Sequence, residues 1–244
     1  MKAMILAAGL GTRLKPLTDK IPKALVEVDG VPMLERVILR LKNEGFDKIV
    51  INIHHFADQI KEFLAAKDFM IHIQISDETG ELLDTGGGIV KAFDLLFKDD
   101  TSPVLFHNVD ILSDADLKGL MVSNMKREGG STLLVNNRES SRKLIFNSEM
   151  KLEVWHDLKG NSYRWIEEPH EEGSELAFSG IYIMSKKSVE EMKGLKGIGK
   201  FSVMEYFLSP KRKERVEGYN QNGLRVIDIG KPTTLLRASG IFRD

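Results

Sequence analysis

Two cations and two carboxylates in this chain could act on one phosphate-bearing substrate. Arg13 and Lys23 share a single stretch with Gly9 and Gly11, Met4 to Lys23 (MILAAGLGTRLKPLTDKIPK), while Asp110 and Asp228 each follow a short apolar run. Glycine lets a backbone come close to a bound group, and successive N–H groups can form an anion-binding nest. Arg and Lys neutralise phosphate, and Mg²⁺ prefers one or two carboxylates together with phosphate oxygens. The set suits Mg²⁺ and a nucleoside triphosphate. An aspartate after a strand is equally a cap or turn residue when taken alone, so its surroundings must decide.

The glycine loop fits none of three common phosphate-binding patterns. GxxxxGK[ST] does not occur, and in Gly9-Leu10-Gly11-Thr12-Arg13-Leu14 the third glycine of a dinucleotide fingerprint is replaced by Leu14. The HRD and DFG signatures of kinases are also absent.

Elements must hold these residues in place. Met4 to Ala8 reads as an apolar strand, and the next helical pattern starts only after Pro32. Ordinary strand–helix connections take roughly 2–6 residues, so this one is marked as functional. Leu34, Val37, Ile38 and Leu41 recur at helical spacing until Gly45, and Lys48–Ile53 (KIVINI) is a strand buried on both faces. Ala57–Ala66 reads as a helix and Met70–Ile75 as a strand. Such alternation predicts an α/β fold, three-layer and Rossmann-like, with a mostly parallel, doubly wound sheet.

Further on, Gly86-Gly87-Gly88 disfavours a helix interior, while Ile89–Phe97 is helix-like. Thr85–Gly88 is thus expected at a helix N-terminus with N–H groups free for an anion or a base; a flexible turn is the alternative. Asp110 follows the strand Pro103–His107, at the carboxyl end where open α/β sheets bind ligands. Ser113 fits the N-cap of a helix over Leu117–Met125, with Asp114 and Asp116 favouring its start. Asn137 to Glu175 reads as an antiparallel excursion, and Leu176–Met184 returns as a strand with Gly180 at its middle, a mark of close approach. Asp228 ends the short strand Val226–Asp228, before a closing helix over Pro232–Ser239. The chain is read as one domain, 1–244.

Composition narrows the partners. With 244 residues and 42% apolar content, a sizeable core can be buried. A net charge of −1 gives no electrostatic case for nucleic acid or a membrane surface. The lack of cysteine excludes disulfides, thiolate zinc sites and cysteine nucleophiles. No apolar run approaches the roughly 20 residues that span a bilayer, and the N-terminal strand is unlike a signal sequence, so a cytoplasmic protein is expected. His54 and His55, the basic run 211–215, and Trp155 and Trp165 are read as structural or solvated.

The residues from Leu6 to Leu34, LAAGLGTRLKPLTDKIPKALVEVDGVPML, resemble the signature of the sugar-1-phosphate nucleotidyltransferases: an LAAGxGTR loop, then PLT, then PK. The likeness continues through INIHHFADQI, LLDTGGGI, Asp110, AFSGI and IDIGKP, and within the family it is nearest to the N-acetylmuramate-1-phosphate uridylyltransferase and mannose-1-phosphate guanylyltransferase branches. The resemblance implies that Leu6, Ala7, Ala8, Gly9, Gly11 and Thr12 meet the nucleotide. It also implies that Glu81, Asp84, Thr85, Gly86 and Gly87 help read the base. Arg13 and Lys23 would be catalytic, Asp110 and Asp228 would hold Mg²⁺, and Asn108, Gly180 and Glu168 would serve the sugar. The partners implied are a nucleoside triphosphate and a sugar 1-phosphate, acted on by a monomer or homodimer; a non-catalytic nucleotide-sugar sensor is the alternative.

Two positions depart from the family pattern. Val109 stands where a glycine usually precedes the metal aspartate, and its side chain is expected to narrow the pocket. Glu167-Glu168-Pro169 stands in place of EKP, which bears on the choice of sugar rather than on the reaction. The chemistry is self-consistent. A phosphate monoester has a second pKa of about 6, so a sugar 1-phosphate is already nucleophilic near neutral pH without a general base. Positioning and charge stabilisation then supply most of the rate.

Overall fold

The computed structural model describes residues 1–127, 130–166, 173–221 and 223–241. Its elements, in chain order, begin with β1 (Lys2–Leu6), three short 3₁₀ turns and the hairpin β2 (Glu27–Val28) and β3 (Val31–Pro32). Then come α1 (Met33–Asn43), β4 (Lys48–Ile53), α2 (Ala57–Ala65), β5 (His72–Asp77), α3 (Asp84–Lys91), α4 (Phe93–Phe97), β6 (Val104–Asn108), β7 (Ile111–Ser113) and α5 (Leu117–Lys126). The remainder is β8 (Ser131–Asn136), β9 (Arg142–Asn147), β10 (Leu152–Asp157), β11 (Ser162–Trp165), β12 (Gly173–Met184), α6 (Lys186–Lys196), α7 (Val203–Phe207), β13 (Val216–Asn220), β14 (Val226–Asp228) and α8 (Pro232–Ala238).

One large mixed sheet runs β11-β10-β9-β12-β6-β1-β4-β5, with β8 and β13 joined to it through β12. β6, β1, β4 and β5 are parallel, so Leu6, Asn52 and Asn108 come level at one carboxyl edge through the pairs Leu6↔Asn52 and Leu6↔Asn108. The alternation along β1 sorts its side chains to two faces, as strand geometry requires. Ala3 and Ile5 pack in a cluster with Leu34, Ile38 and Leu41 of α1 and Leu117 and Leu120 of α5. Met4 and Leu6 pack in the other, with Ile89 of α3, Val189 of α6 and Phe207 of α7. Helices thus cover both faces of a mostly parallel sheet, and β9 to β11 form the small antiparallel excursion.

Three local expectations are revised. The strand expected from Met70 begins at His72, because Met70 has φ 53, outside the strand region. The N-cap of α5 is Asp116, whose side chain accepts from the Gly119 N–H at 2.8 Å; Ser113 lies in β7 instead, and Asp114 pairs with Arg225 Nε at 2.6 Å. Third, α3 starts at Asp84 and carries all three glycines inside its first two turns. Packing overrides their poor helix propensity: a Cβ on Gly86 would collide with Phe201, one on Gly87 with the Gly199 carbonyl, and one on Gly88 would lie 2.6 Å from Glu78 Oε1.

Candidate active site

The loop after β1 is held by hydrogen bonds within the protein. Asn52 at the end of β4 accepts the Ala7 N–H at 2.8 Å, and its amide donates to Glu78 Oε1 at 2.8 Å. Glu78 is fully buried, and burial raises its carboxyl above the usual range. Gly11 has φ 67; its carbonyl accepts from Thr18 Oγ1 and from the Leu14 N–H, both at 2.8 Å, and Leu14 is buried. The turn is therefore closed by its own hydrogen bonds, with one side chain plugged into the core.

This loop walls a cleft of about 490 Å³. Leu6, Ala8, Gly9, Gly11, Thr12, Arg13, Lys23, Asp84, Thr85, Asn108 and Asp110 all line it. Ala7 does not: it is buried, with its N–H on Asn52. Nor do Glu81, which is exposed outside the cleft, or Gly86 and Gly87. The two glycine N–H groups donate to the Phe201 carbonyl at 2.9 and 3.3 Å, and the Thr85 N–H donates to its neighbour Asp84 Oδ1 at 2.6 Å. The N-terminal donors expected to be free for an anion are therefore already engaged. The glycines instead let the 199–201 segment press against α3, and Lys200 of that segment joins the cleft lining.

Lys200, Asn52 and Leu82 are lining residues that motif reading missed. Lys200 does carry a signal, a lysine after two spaced glycines in Gly197-Ile198-Gly199-Lys200, but only the fold brings it to the loop. Val109 borders the cleft with its side chain 4% exposed and packed in the core, so most of it does not narrow the cavity.

The two aspartates come from different parts of the chain. β7 and β14 pair antiparallel with Ile111 opposite Asp228, and the Ile229 N–H donates to the Asp110 carbonyl at 2.9 Å. Asp110 and Asp228 therefore sit diagonally across one strand pair. Lys23 Nζ donates to Asp110 Oδ2, and both side chains are 13% exposed. Arg13 Nη2 lies 3.9 Å from Asp228 Oδ2, a distance that Gly230 permits, since a Cβ there would collide with the guanidinium. Among the described residues no group of three or more His, Cys, Asp or Glu side chains gathers as a metal cage. Two carboxylates at one corner are an oxygen-only donor set, which fits a Mg²⁺ that takes its other ligands from phosphates and water.

A second cleft, about 690 Å³, opens on the other side of Arg13 and Asn108, which line both. Gly180, Ser179 and Phe178 of β12, Trp155 of β10, Asp228, Arg138, Arg142 and Lys143 line it. A Cβ on Gly180 would lie 2.9 Å from Asn108 Nδ2. Trp155, read from sequence as packing, is a wall of this cleft. Glu168 lies outside the described residues.

The profile of the family described as nucleotidyl transferase matches residues 2–242. The chain belongs to this family. The nucleotidyl transferase is 30% identical over 249 residues to the N-acetylmuramate alpha-1-phosphate uridylyltransferase of Neisseria meningitidis, covering 99% of this chain and 98% of that one. It is 29% identical to the mannose-1-phosphate guanyltransferase of Gibberella zeae, covering 99% of this chain and 64% of that one, and its matches to several other curated relatives cover about half the length of each of those proteins. Among solved structures, HddC from Yersinia pseudotuberculosis complexed with GMP-PN superposes with a TM-score of 0.78 at 26% identity, covering 99% of each chain. No helix among the described residues is long and apolar enough to cross a membrane.

Proposed function

We propose that this nucleotidyl transferase joins a nucleoside triphosphate to a sugar 1-phosphate, giving a nucleoside-diphosphate sugar and pyrophosphate with Mg²⁺ as cofactor. The observation that carries this reading is the pair of clefts meeting at Arg13 and Asn108, with Asp110 lining one and Asp228 the other. A triphosphate in the first cleft and a sugar phosphate in the second would meet at that junction.

An oxygen of the sugar phosphate attacks the α-phosphorus, and the bond from that phosphorus to the β-phosphate bridging oxygen breaks. Arg13 and Lys23 oppose the charge that develops on the non-bridging oxygens and on the departing pyrophosphate. The loop backbone from Ala8 to Thr12 holds the nucleotide, and Asn108 orients the incoming phosphate. Asp110 and Asp228 would hold Mg²⁺, which when bound supplies further charge neutralisation at the phosphates. No residue has to act as general base, since the nucleophile is already ionised near neutral pH.

The names of the relatives point to two substrate pairs, UTP with N-acetylmuramate 1-phosphate and GTP with mannose 1-phosphate. The test is pyrophosphate release from UTP, GTP, CTP and dTTP against muramic, mannose, glucose and glucosamine-type 1-phosphates, with and without Mg²⁺. Mg²⁺-dependent release from at least one pair is expected. Nucleotide binding without release across the whole panel would refute the transferase reading and favour a sensor.

A further inference from the structure

The described residues of the second cleft carry more positive charge than one sugar 1-phosphate requires. Among the described residues, Arg13, Arg138, Arg142 and Lys143 line it against the single carboxylate of Asp228. Three of the four cations are already engaged. Arg13 stands at the junction beside Asp228. Arg138 donates from Nη2 to the Phe178 carbonyl at 2.9 Å and from Nη1 to the Glu139 carbonyl at 3.3 Å, and Lys143 Nζ donates to the Arg138 carbonyl at 2.8 Å. The fourth, Arg142, is exposed at the start of β9, and its guanidinium meets no hydrogen-bond or ion-pair partner among the described residues. Its cross-strand neighbour is Asp157, whose Oδ1 instead accepts the Lys159 N–H at 3.1 Å. The Arg142 backbone is steadied by the Ser140 hydroxyl, which accepts its N–H at 3.2 Å.

A free guanidinium in a ligand cleft is a planar fork of donors suited to a carboxylate. A monoester phosphate brings a charge of roughly −1.5 to −2, which Arg13 and the metal corner already meet. Resting on the sugar-phosphate reading above, we propose that the sugar of this substrate is itself acidic, and that Arg142 seats its carboxylate at the end of the second cleft. Trp155 offers a flat apolar wall to the sugar ring between the two anions. A neutral hexose phosphate would leave Arg142 unmatched, so the seat selects by charge.

Paired substrates that differ in one carboxylate test this: N-acetylmuramic acid 1-phosphate against N-acetylglucosamine 1-phosphate, and glucuronic acid 1-phosphate against glucose 1-phosphate. The wild type is expected to favour the acid of at least one pair by 10-fold or more in kcat/KM for pyrophosphate release, through KM. Arg142→Gln should lower that acid-to-neutral ratio about 10-fold or more, and Arg142→Lys should fall between. A wild type without preference for either acid, or a ratio untouched by Arg142→Gln, overturns the seat. Calorimetric binding of the same sugar phosphates without nucleotide separates the two readings. Total lack of pyrophosphate release refutes the transferase, whereas tighter acid binding lost in Arg142→Gln still supports the seat, and equal binding of acid and neutral sugar refutes it.

Discussion

The two clefts share Arg13 and Asn108 and differ in how their walls are held. In the first cleft, proposed for the nucleotide, the lining rides on a loop fixed by hydrogen bonds, buried ones from Glu78 through Asn52 to Ala7 and a part-buried one from Thr18 to Gly11. In the second cleft, proposed for the sugar, long cationic side chains reach in from the start of an excursion strand, and Arg142 is exposed and, among the described residues, unengaged. Transfer at phosphorus depends on groups held to a fraction of an ångström, while recognition can use flexible side chains that order on binding at some entropic cost. The rigid wall is therefore where substitutions should cost rate, and the flexible wall is where they should change which sugar is taken.

The largest effects fall at the junction. Asp110→Ala and Asp228→Ala are each expected to abolish Mg²⁺-dependent turnover while the protein stays folded, read by pyrophosphate release beside circular dichroism. Lys23→Ala should cost about 10²-fold in kcat, the usual loss of an electrostatic stabiliser, with sugar selectivity unchanged. A variant that shifted selectivity but kept kcat would break the division between the walls.

Two glycines in the same loop sharpen the comparison. Gly11 has φ 67, and a Cβ there would lie 2.8 Å from Thr18 Cγ2 and 3.0 Å from Lys23 Cβ. Gly11→Ala carries the left-handed penalty of roughly 1–2 kcal/mol and shifts Lys23, so both Tm and kcat should fall, the latter about 10-fold. At Gly9 nothing lies within 4 Å of a Cβ, so Gly9→Ala should keep Tm and raise KM for the triphosphate. An unchanged KM would mean that the nucleotide does not approach the loop at Gly9.

A smaller, opposite signature belongs to the sugar-side wall. Trp155→Ala removes an apolar face worth about 1 kcal/mol in stacking, so KM for the sugar phosphate should rise about 5-fold while KM for the triphosphate holds. A rise in the triphosphate KM instead would merge the clefts into one site.

The same contrast explains what the sequence could tell. The strands of the parallel half were legible because their apolar runs are continuous, as in Lys48–Ile53, and the loop was legible because its cations and glycines sit close together in the chain. The Gly86–Gly88 run misled, since its causes are long-range contacts that no local pattern carries, of Gly86 and Gly87 with the 199–201 segment and of Gly88 with Glu78 and Asn52. Lys200, Asn52 and the second role of Trp155 were hidden for the same reason. The pairing of β7 with β14, which sets Asp110 against Asp228, is likewise a property of the fold, although each aspartate was visible at the end of its own run.

The least effect on turnover is expected beneath the junction, where His107 on β6 precedes Asn108. It is 1% exposed, its Nδ1 lies 2.8 Å from the Asn108 carbonyl, and its Nε2 has no partner. Burial, aided by the nearby Arg40 charge, lowers its pKa to about 4. Neutral in the folded state, it must donate from Nδ1 to that carbonyl. In the unfolded chain it titrates near its ordinary value of about 6.5, so between those two values the unfolded state binds more protons. Stability is thus fully present above about pH 6.5 and declines as pH falls towards about 4, by on the order of 3 kcal/mol at most. His107→Gln keeps a donor of similar size without titrating, so its Tm should fall less steeply over that range, with kcat near wild type at pH 8. Parallel Tm–pH curves for wild type and variant would show that the imidazole takes up its proton in place, and that the floor under Asn108 is looser than the loop beside it.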